Sequence, residues 1–255
     1  MFFCKLNKSI ISNFKNVFDL YGQIGILEVY FDIKKMGLFI YTTYDKSIHT
    51  MANFSHTSFL EYKCEKECIF TLNIKTMKEN LKNITSVDTI ELTIMKLNEL
   101  KLKVTKKTIE FEKKIILKES QFFNLPIVLD QVEPLNIKSS DFLEFCRSIS
   151  GKYIITVKTE DGVPEIIFES ERNKVSIKSD NDNYETILPF DGDFKTEYFS
   201  KLKKFTKFNN MIKVYINPNQ PLIFETNIGT KEKDKITIWI KSIKQMEEDY
   251  EDQDE

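Results

Sequence analysis

Apolar and polar side chains alternate with a two-residue period along almost the whole chain, and no other feature limits the fold so tightly. The first half carries this alternation in "ILEVYFDI", "GLFIYTTY", "ECIFTLNI", "DTIELTIM", "LKLKVTKK" and "TIEFEKKIIL". The second carries it in "KYIITVKT", "EIIFES", "NKVSIKS", "YETILPF", "MIKVYIN", "PLIFETNI" and "KITIWIKSI". Such a period builds strands with one buried face, and many short strands between polar turns build antiparallel sheets. The turns read as "KKMG", "TEDG", "SDNDN", "NPNQP" and "GTKEKDK".

Four segments switch to the helical period. Residues 9–20 carry the stripe Ile10, Phe14, Val17 and Phe18, and residues 75–83 are flanked and faced by Ile74, Met77, Leu81 and Ile84. Residues 139–149 carry Phe142, Phe145, Cys146 and Ile149, and residues 197–210 carry Phe199, Leu202, Phe205 and Thr206. Ser9 and Ser139 are the expected N-caps. The order is helix, strands, helix, strands, and then the same again, an internal repeat of about 130 residues. Between the halves, "KESQFFNLPIVLDQVEPLN" has two prolines and no clean period, as a connector would. Its Phe122, Phe123, Leu125, Ile127, Val128 and Leu129 are a large apolar load, so either the segment packs across the body or something binds there. The predicted class is α+β, with domains at 1–117 and 136–246, a connector at 118–135 and an acidic, disordered tail at 247–255.

Several function classes have no support in the residues. No run of about 18 apolar residues is present to span a membrane. The opening "MFFCKLNKSIISNF" breaks its apolar stretch with Lys5 and Asn7, unlike a signal peptide. Cys64 and Cys68 have no second Cys/His pair beside them, and His49 and His56 are the only histidines, so neither metal nor cofactor is expected and the thiols read as reduced. No glycine-rich phosphate loop or nucleophile elbow appears, so no catalytic residue is assigned and the chain is not expected to be an enzyme. "SDNDN" reads as a turn before it reads as a cation site, although carboxylates distant in sequence leave a nuclease-type site open.

Charge is uneven. The net charge is −2, but seven carboxylates lie in 247–255, leaving 32 acidic residues against 37 Lys and Arg, a body of about +5. The cations gather on the helices opposite their apolar stripes: Lys15; Lys75, Lys78 and Lys82; Arg147; and Lys203, Lys204 and Lys207 with Lys201 on the flank, against Asp19, Glu79 and Glu144. No aromatic ring faces outward for base stacking, and no Arg/Asn/Gln recognition pattern appears. The faces are either ordinary solvated surface or a sequence-independent phosphate-contacting surface.

The motifs resemble those of the eukaryotic sliding clamp family, proliferating cell nuclear antigen. "SSDFLEFCRSISG" (139–151) followed by a strand and "EDGV" (160–163) resembles the start of that family's second domain. "MFFCKLNKSIISNFKNVFDL" is similar to its first strand and helix, and "TLNIKTMKENLK" (71–82) to its second helix. "FTK" (205–207), "NQPLIFETNI" (219–228) and "ITIWI" (236–240) resemble its later elements, in order and in compatible spacing. The departures are a less acidic body, Ser12 and Asn13 where the family commonly has lysines, and a loosely matching loop "TTYDKSIHT" (42–50).

The resemblance implies a DNA processivity factor, and the departures imply a divergent one, from a large DNA virus or an AT-rich organism. Two similar clamp domains per chain would put antiparallel sheets outside and four helices on the inner face of a ring, a homotrimer around duplex DNA. It implies DNA-facing roles for Lys15, Lys75, Lys78, Lys82, Arg147, Lys201, Lys203, Lys204 and Lys207. It implies a pocket for a short apolar/aromatic client peptide at Tyr44, Ile48, Leu125, Ile127, Val128, Leu129, Pro221, Leu222, Ile240 and Ile243. It implies subunit contacts through Ile109, Phe111 and Ile115 on one chain and Val175 and Ile177 on the next. The implied partners are DNA polymerase and other clients, a clamp loader, and further copies of the chain, in the nucleus or at a viral replication site. A heterotrimeric checkpoint-type subunit, a monomeric viral processivity factor and a scaffold that ignores DNA are the alternatives.

Overall fold

The computed structural model describes residues 1–96, 98–120, 133–149, 153–160, 162–171, 173–180, 189–218, 220–229 and 231–251. It is an α+β protein with mostly antiparallel sheets. The chain forms two compact units. One comprises Met1–Thr42, Thr50–Asn124 and Asn227–Ile236, and the other Thr43–His49, Leu125–Thr226 and Thr237–Glu255. Relative to a division at the connector, two short segments are exchanged.

The elements up to the connector are β1 (Phe2–Leu6), α1 (Lys8–Ile24), β2 (Glu28–Lys34), β3 (Gly37–Tyr44), β4 (Ile48–Ser55), β5 (Glu61–Cys64), β6 (Cys68–Asn73), α2 (Ile74–Leu81), β7 (Thr89–Lys96), β8 (Glu99–Lys106), β9 (Ile109–Ile116) and β10 (Lys118–Glu119). After it come β11 (Leu135–Lys138), α3 (Ser139–Ser148), β12 (Ile154–Thr159), β13 (Glu165–Glu169), β14 (Lys174–Lys178), β15 (Phe190–Lys195), α4 (Thr196–Ser200), β16 (Met211–Tyr215), β17 (Leu222–Asn227), β18 (Lys235–Ile240) and α5 (Ile243–Glu251).

The strand orders repeat. The first half contains the runs β1-β7-β8-β9 and β6-β2-β3-β4, and the second contains β11-β16-β17-β18 and β15-β12-β13-β14. In each half one helix leads from the first run into the second and another leads back: α1 and α2, then α3 and α4. The strand β5 extends the first run beside β1, and β10 extends the second beside β6. Both ends of the expected connector are therefore strand: Lys118 pairs with Thr71, and Leu135 with Val214.

Alternation accounts for the sheets. On β7 and β8, Ile90, Leu92, Leu100, Leu102 and Val104 are buried, while the intervening Lys and Glu face out. In the second unit an aromatic cluster fills the core. Phe145 stacks on Phe168 at 3.9 Å, and Phe199 meets Phe145, Phe168, Phe194 and Phe224 edge-on.

The helix ends differ from expectation. Asn7, not Ser9, caps α1 by accepting the Ile10 N–H at 3.0 Å, and Gly25, at φ 101°, ends it with its N–H on the Tyr21 carbonyl. Ser139 is the first residue inside α3 rather than its cap, and its hydroxyl donates to the Asn209 carbonyl.

The fourth expected helix is the largest departure. Only Thr196–Ser200 is α-helical, followed by turns and a 3₁₀ segment at Phe205–Lys207. Its buried residues Phe199, Leu202, Phe205 and Phe208 recur every three positions, which suits a three-residue turn better than 3.6. The backbone follows: Leu202 N–H bonds to Phe199 O, Phe205 N–H to Leu202 O, and Lys207 N–H to Lys204 O. The Ser200 and Thr206 hydroxyls each donate to the carbonyl three residues back, favouring the tighter winding.

The expected tail is helical as far as Glu251, where α5 ends, and 252–255 lie outside the described residues. A reciprocal capping box starts the helix: Ser242 N–H donates to Gln245 Oε1 at 2.9 Å, and Gln245 N–H to Ser242 Oγ at 3.2 Å.

Candidate nucleic-acid interface

In the first unit, α1 and α2 pack side by side and frame a groove of about 700 Å³. Four of the expected DNA-facing residues line it: Lys15, Lys75, Lys78 and Lys82, with Asp19 and Glu79 as the opposing charges. Each helix buries its apolar stripe, so the polar flanks converge at the seam, and the local balance is two positive charges.

The four cations are not equivalent. Lys15 reaches across to donate to the Ile84 carbonyl, just past the end of α2. Lys78 lies 3.6 Å from Asp19 and crosses Gly22, where an added Cβ would stand 2.8 Å from its Nζ. These two tie the helix pair together; a half-exposed ion pair of this kind contributes about 0–1 kcal/mol. Lys75 and Lys82 are exposed. A phosphate chain along the groove meets them first, with Lys15 and Lys78 adding field from behind.

In the second unit, Arg147 is exposed in the last turn of α3. Cys146 beside it is buried; burial pushes its thiol well above the ordinary range, and the nearby Lys203 ammonium opposes that shift. The three-residue winding puts Lys201, Lys204 and Lys207 along one ridge. Lys207 is exposed, while Lys201, Lys203 and Lys204 are half-buried.

Lys201 requires a correction. Its Nζ donates to the Tyr44 hydroxyl at 2.7 Å and sits 3.9 Å from the centroid of the same ring. A cation over an aromatic face with its proton shared is committed to that partner. Lys201, expected toward DNA, and Tyr44, expected toward client proteins, instead form one contact.

The expected client pocket is partly dissolved by burial. Ile48 and Ile240 are fully buried and Leu222 is 1% exposed, so these side chains fill the core and cannot receive a peptide. Each occupies an inward position on its strand. Tyr44, Pro221 and Ile243 are half-exposed. Leu125, Ile127, Val128 and Leu129 lie outside the described residues.

The expected subunit contacts lie on strands of the right kind. β9 ends the first sheet and β14 ends the four-stranded sheet, each with one neighbour. Ile109 is exposed, and Phe111 and Val175 are half-exposed. Ile115 and Ile177 are buried inside their own unit and are corrected to core positions. Alternation supplies the reason: in "KKII" one isoleucine faces in and its neighbour faces out, and the outward one is Ile116, 74% exposed.

The described residues hold no group of three or more His, Cys, Asp or Glu arranged for a metal. His49 is buried, with Nδ1 3.0 Å from the Thr43 hydroxyl. The four cysteines are free, and burial pushes Cys68 up to about 11.

No protein-family model matches the chain. It is 51% identical over 267 aligned residues to "Uncharacterized protein 060L" of Invertebrate iridescent virus 3, an alignment covering 98% of this chain and 91% of that protein.

Proposed function

The chain belongs to the family of protein 060L of Invertebrate iridescent virus 3, and for it we propose the role of a DNA sliding clamp. In this reading, copies of the chain close a ring around duplex DNA and tether DNA polymerase and other replication and repair enzymes to it. The observation that carries the reading is the repeat. Each half has the same two strand runs, joined at the same places by a pair of helices, and cations outnumber carboxylates in the α1–α2 groove of the first half and on the turn and 3₁₀ segment that follows α4 in the second. A ring of such halves offers a duplex many similar basic surfaces, as a contact indifferent to sequence requires.

The physics favours topology over affinity. Sequence-independent phosphate contacts give dissociation constants of about 10⁻⁴ to 10⁻⁶ M, too weak to hold a polymerase in place but compatible with sliding. Closing a ring removes the need for tight binding. Mixed faces, with Asp19, Glu79 and Glu144 among the lysines, limit drag along the DNA. The contacts fall to Lys75, Lys82, Arg147, Lys203, Lys204 and Lys207, with Lys15 and Lys78 shaping the groove. Two clamp domains in each chain and three chains would line the hole with twelve helical segments and leave the sheets outside.

Closure uses the free edges. An unpaired strand is a template for another strand, and a head-to-tail contact closes when its rotation permits. We assign the contact to β9 of one copy against β14 of the next, with Ile109, Phe111, Ile116 and Val175 as its apolar part. Clients dock outside the ring near Tyr44, Pro221 and Ile243, after a clamp loader has opened it, in the nucleus or at a viral replication site.

Primer extension by a cognate polymerase on circular and linear templates tests the role. A clamp stays on circles and runs off free ends; equal retention on both overturns the reading. Light scattering separates the assemblies: a homotrimer of this 30.1 kDa chain gives about 90 kDa, and a monomeric factor about 30 kDa. Polymerase stimulation that survives replacement of Lys203, Lys204 and Lys207 by Ala would favour a scaffold that ignores DNA.

A further inference from the structure

The C-terminal helix is seated on its own unit in an unusual way. It packs against β15, and Met246 enters between two hydroxyls. Ser47 Oγ, which shares its proton with the Asp45 carbonyl at 2.8 Å, stands 2.7 Å from Met246 Sδ, and Tyr198 Oη donates to that sulfur at 3.6 Å. Ser47 is 2% exposed and Tyr198 is fully buried. The chain enters this arrangement through Lys241, whose N–H bonds to the Ser47 carbonyl at 2.9 Å. Two buried hydroxyls thus converge on one thioether carried by a surface segment.

Two further observations describe the occupant. Its start is closed by the Ser242–Gln245 capping box and its body carries the Lys244–Glu248 pair at 3.7 Å, both of which favour the helical form. It has nine residues, fewer than the roughly 12–15 that an isolated helix needs to be stable in water, so it stays folded only while seated. Charge also matches. Glu247 and Glu248 are exposed on the helix, and Lys46 and Lys195 are exposed on the turn and strand that form the seat, with Lys195 Nζ 5.7 Å from the Tyr198 ring centroid.

We propose that α5 is an intramolecular ligand: through Met246 it occupies a docking seat for short acidic helices of partner proteins, and it must leave before a partner binds. The partner's chemistry follows from the seat. Once Met246 withdraws, the Tyr198 hydroxyl needs an acceptor, because a buried donor left unsatisfied is unfavourable, whereas Ser47 keeps the Asp45 carbonyl. An apolar anchor carrying an acceptor, as a methionine does, on a capped helix with carboxylates after it, meets both the Tyr198 hydroxyl and the lysine rim. The seat borders Tyr44 and Ile243, so the proposal rests on the clamp reading only for the identity of the displacing partner. The seat and its occupancy stand without it.

The test uses the full chain and a fluorescein-labelled peptide of residues 241–251, read by fluorescence anisotropy. An occupied site takes a second ligand only in the fraction of molecules where it is vacant, so the wild-type chain binds the peptide weakly. Met246→Glu expels α5, and the labelled peptide then binds at least about tenfold more tightly. Met246→Ala, a milder change, gives a smaller gain and guards against misfolding in the first variant. A peptide that itself carries Met246→Glu binds neither chain. Hydrogen exchange adds a second readout: amides of 243–251 are protected in the wild type and lose protection in Met246→Glu. Equal peptide affinity for wild type and both variants, no binding to any of them, or unchanged exchange would overturn the proposal. None of these outcomes touches DNA retention, so a failure here is distinct from a failure of the clamp.

Discussion

The ammonium of Lys201 stands 3.9 Å from the ring centroid of Tyr44 and 2.7 Å from its hydroxyl, joining the end of β3 to the residue that follows α4. A half-exposed cation–π contact contributes about 0.5–1 kcal/mol, and a hydrogen bond from a charged donor adds to it. Lys201→Ala is therefore expected to lower stability by about 1 kcal/mol, and Tyr44→Phe, which keeps the ring face, by less. Denaturant midpoints check both. The same variant separates Lys201 from its neighbours in DNA binding. Lys207→Ala removes a phosphate contact and lowers the slope of log K against log salt by about 0.9 for each copy that touches DNA. Lys201→Ala leaves that slope unchanged.

Asp234 carries a larger structural role. It is fully buried and accepts the Ser55 N–H at 2.8 Å, the Ser58 hydroxyl, and the Lys231 N–H at 3.4 Å. Truncation leaves several buried donors unpaired at once, so Asp234→Ala is expected to cost about 3 kcal/mol by chemical denaturation. Gly229 explains why the loop can close over it: an added Cβ would lie 2.1 Å from the Asp234 carboxylate. Gly229→Ala is expected to cost a similar amount, and Ser58→Ala, which removes one donor with its partner still served by others, about 1 kcal/mol.

Much of this fold is legible from alternation and spacing, and the gaps have physical causes. β7, β8 and β9 follow the two-residue rule, and so the sheet containing them can be read directly. β4, "IHTMANFS", cannot, because His49, Thr50 and Ser55 are polar yet buried and so break the apolar alternation. β1 is hidden by the helix that follows at once. The three-residue recurrence of Phe199, Leu202, Phe205 and Phe208 is visible in the sequence and separates 3₁₀ winding from α, but only when Phe208 is counted with the others. Ser242-x-x-Gln245 is likewise a readable helix start just before the acidic ending, 247–255, that composition alone assigns to disorder. The groove between α1 and α2 was legible in part. The lysines stand out on helical faces, whereas the reach of Lys15 to Ile84 and of Lys78 over Gly22 depends on how the helices pack.

Asp32 gives a pH dependence opposite to that of most carboxylates. It is 3% exposed, and burial raises its pKa above the ordinary 3.8, while the Lys34 ammonium at 3.2 Å pulls the other way without cancelling the rise. A folded-state pKa above the unfolded one means that the folded chain holds the proton more tightly. This contribution is therefore fully present below the unfolded pKa and is lost as pH rises through the folded value. Asp32→Asn removes the charge, so the variant is expected to gain stability over wild type at pH 7 and to show no gain at pH 3. Thermal midpoints of the two proteins across that range provide the check, and a gain confined to acid pH would contradict the sign.

Neighbouring isoleucines on β9 distinguish a surface that joins copies from a core. Ile115 is 2% exposed and Ile116 is 74% exposed, although they are adjacent in an edge strand. Ile109, 66% exposed, lies at the other end of the same strand. If β9 pairs with β14 of the next copy, Ile116→Lys and Ile109→Glu load charge onto the joint and leave the chain folded. The expected outcome is a fall in scattering mass from about 90 kDa to about 30 kDa, three chains of 30.1 kDa becoming one, with a thermal midpoint close to that of the isolated wild-type chain. Ile115→Lys instead buries an unpaired charge and is expected to unfold the first unit, a loss of 4 kcal/mol or more by the order of such changes, about the largest seen for single substitutions. An Ile116→Lys chain that keeps the full trimer mass would move the joint away from β9.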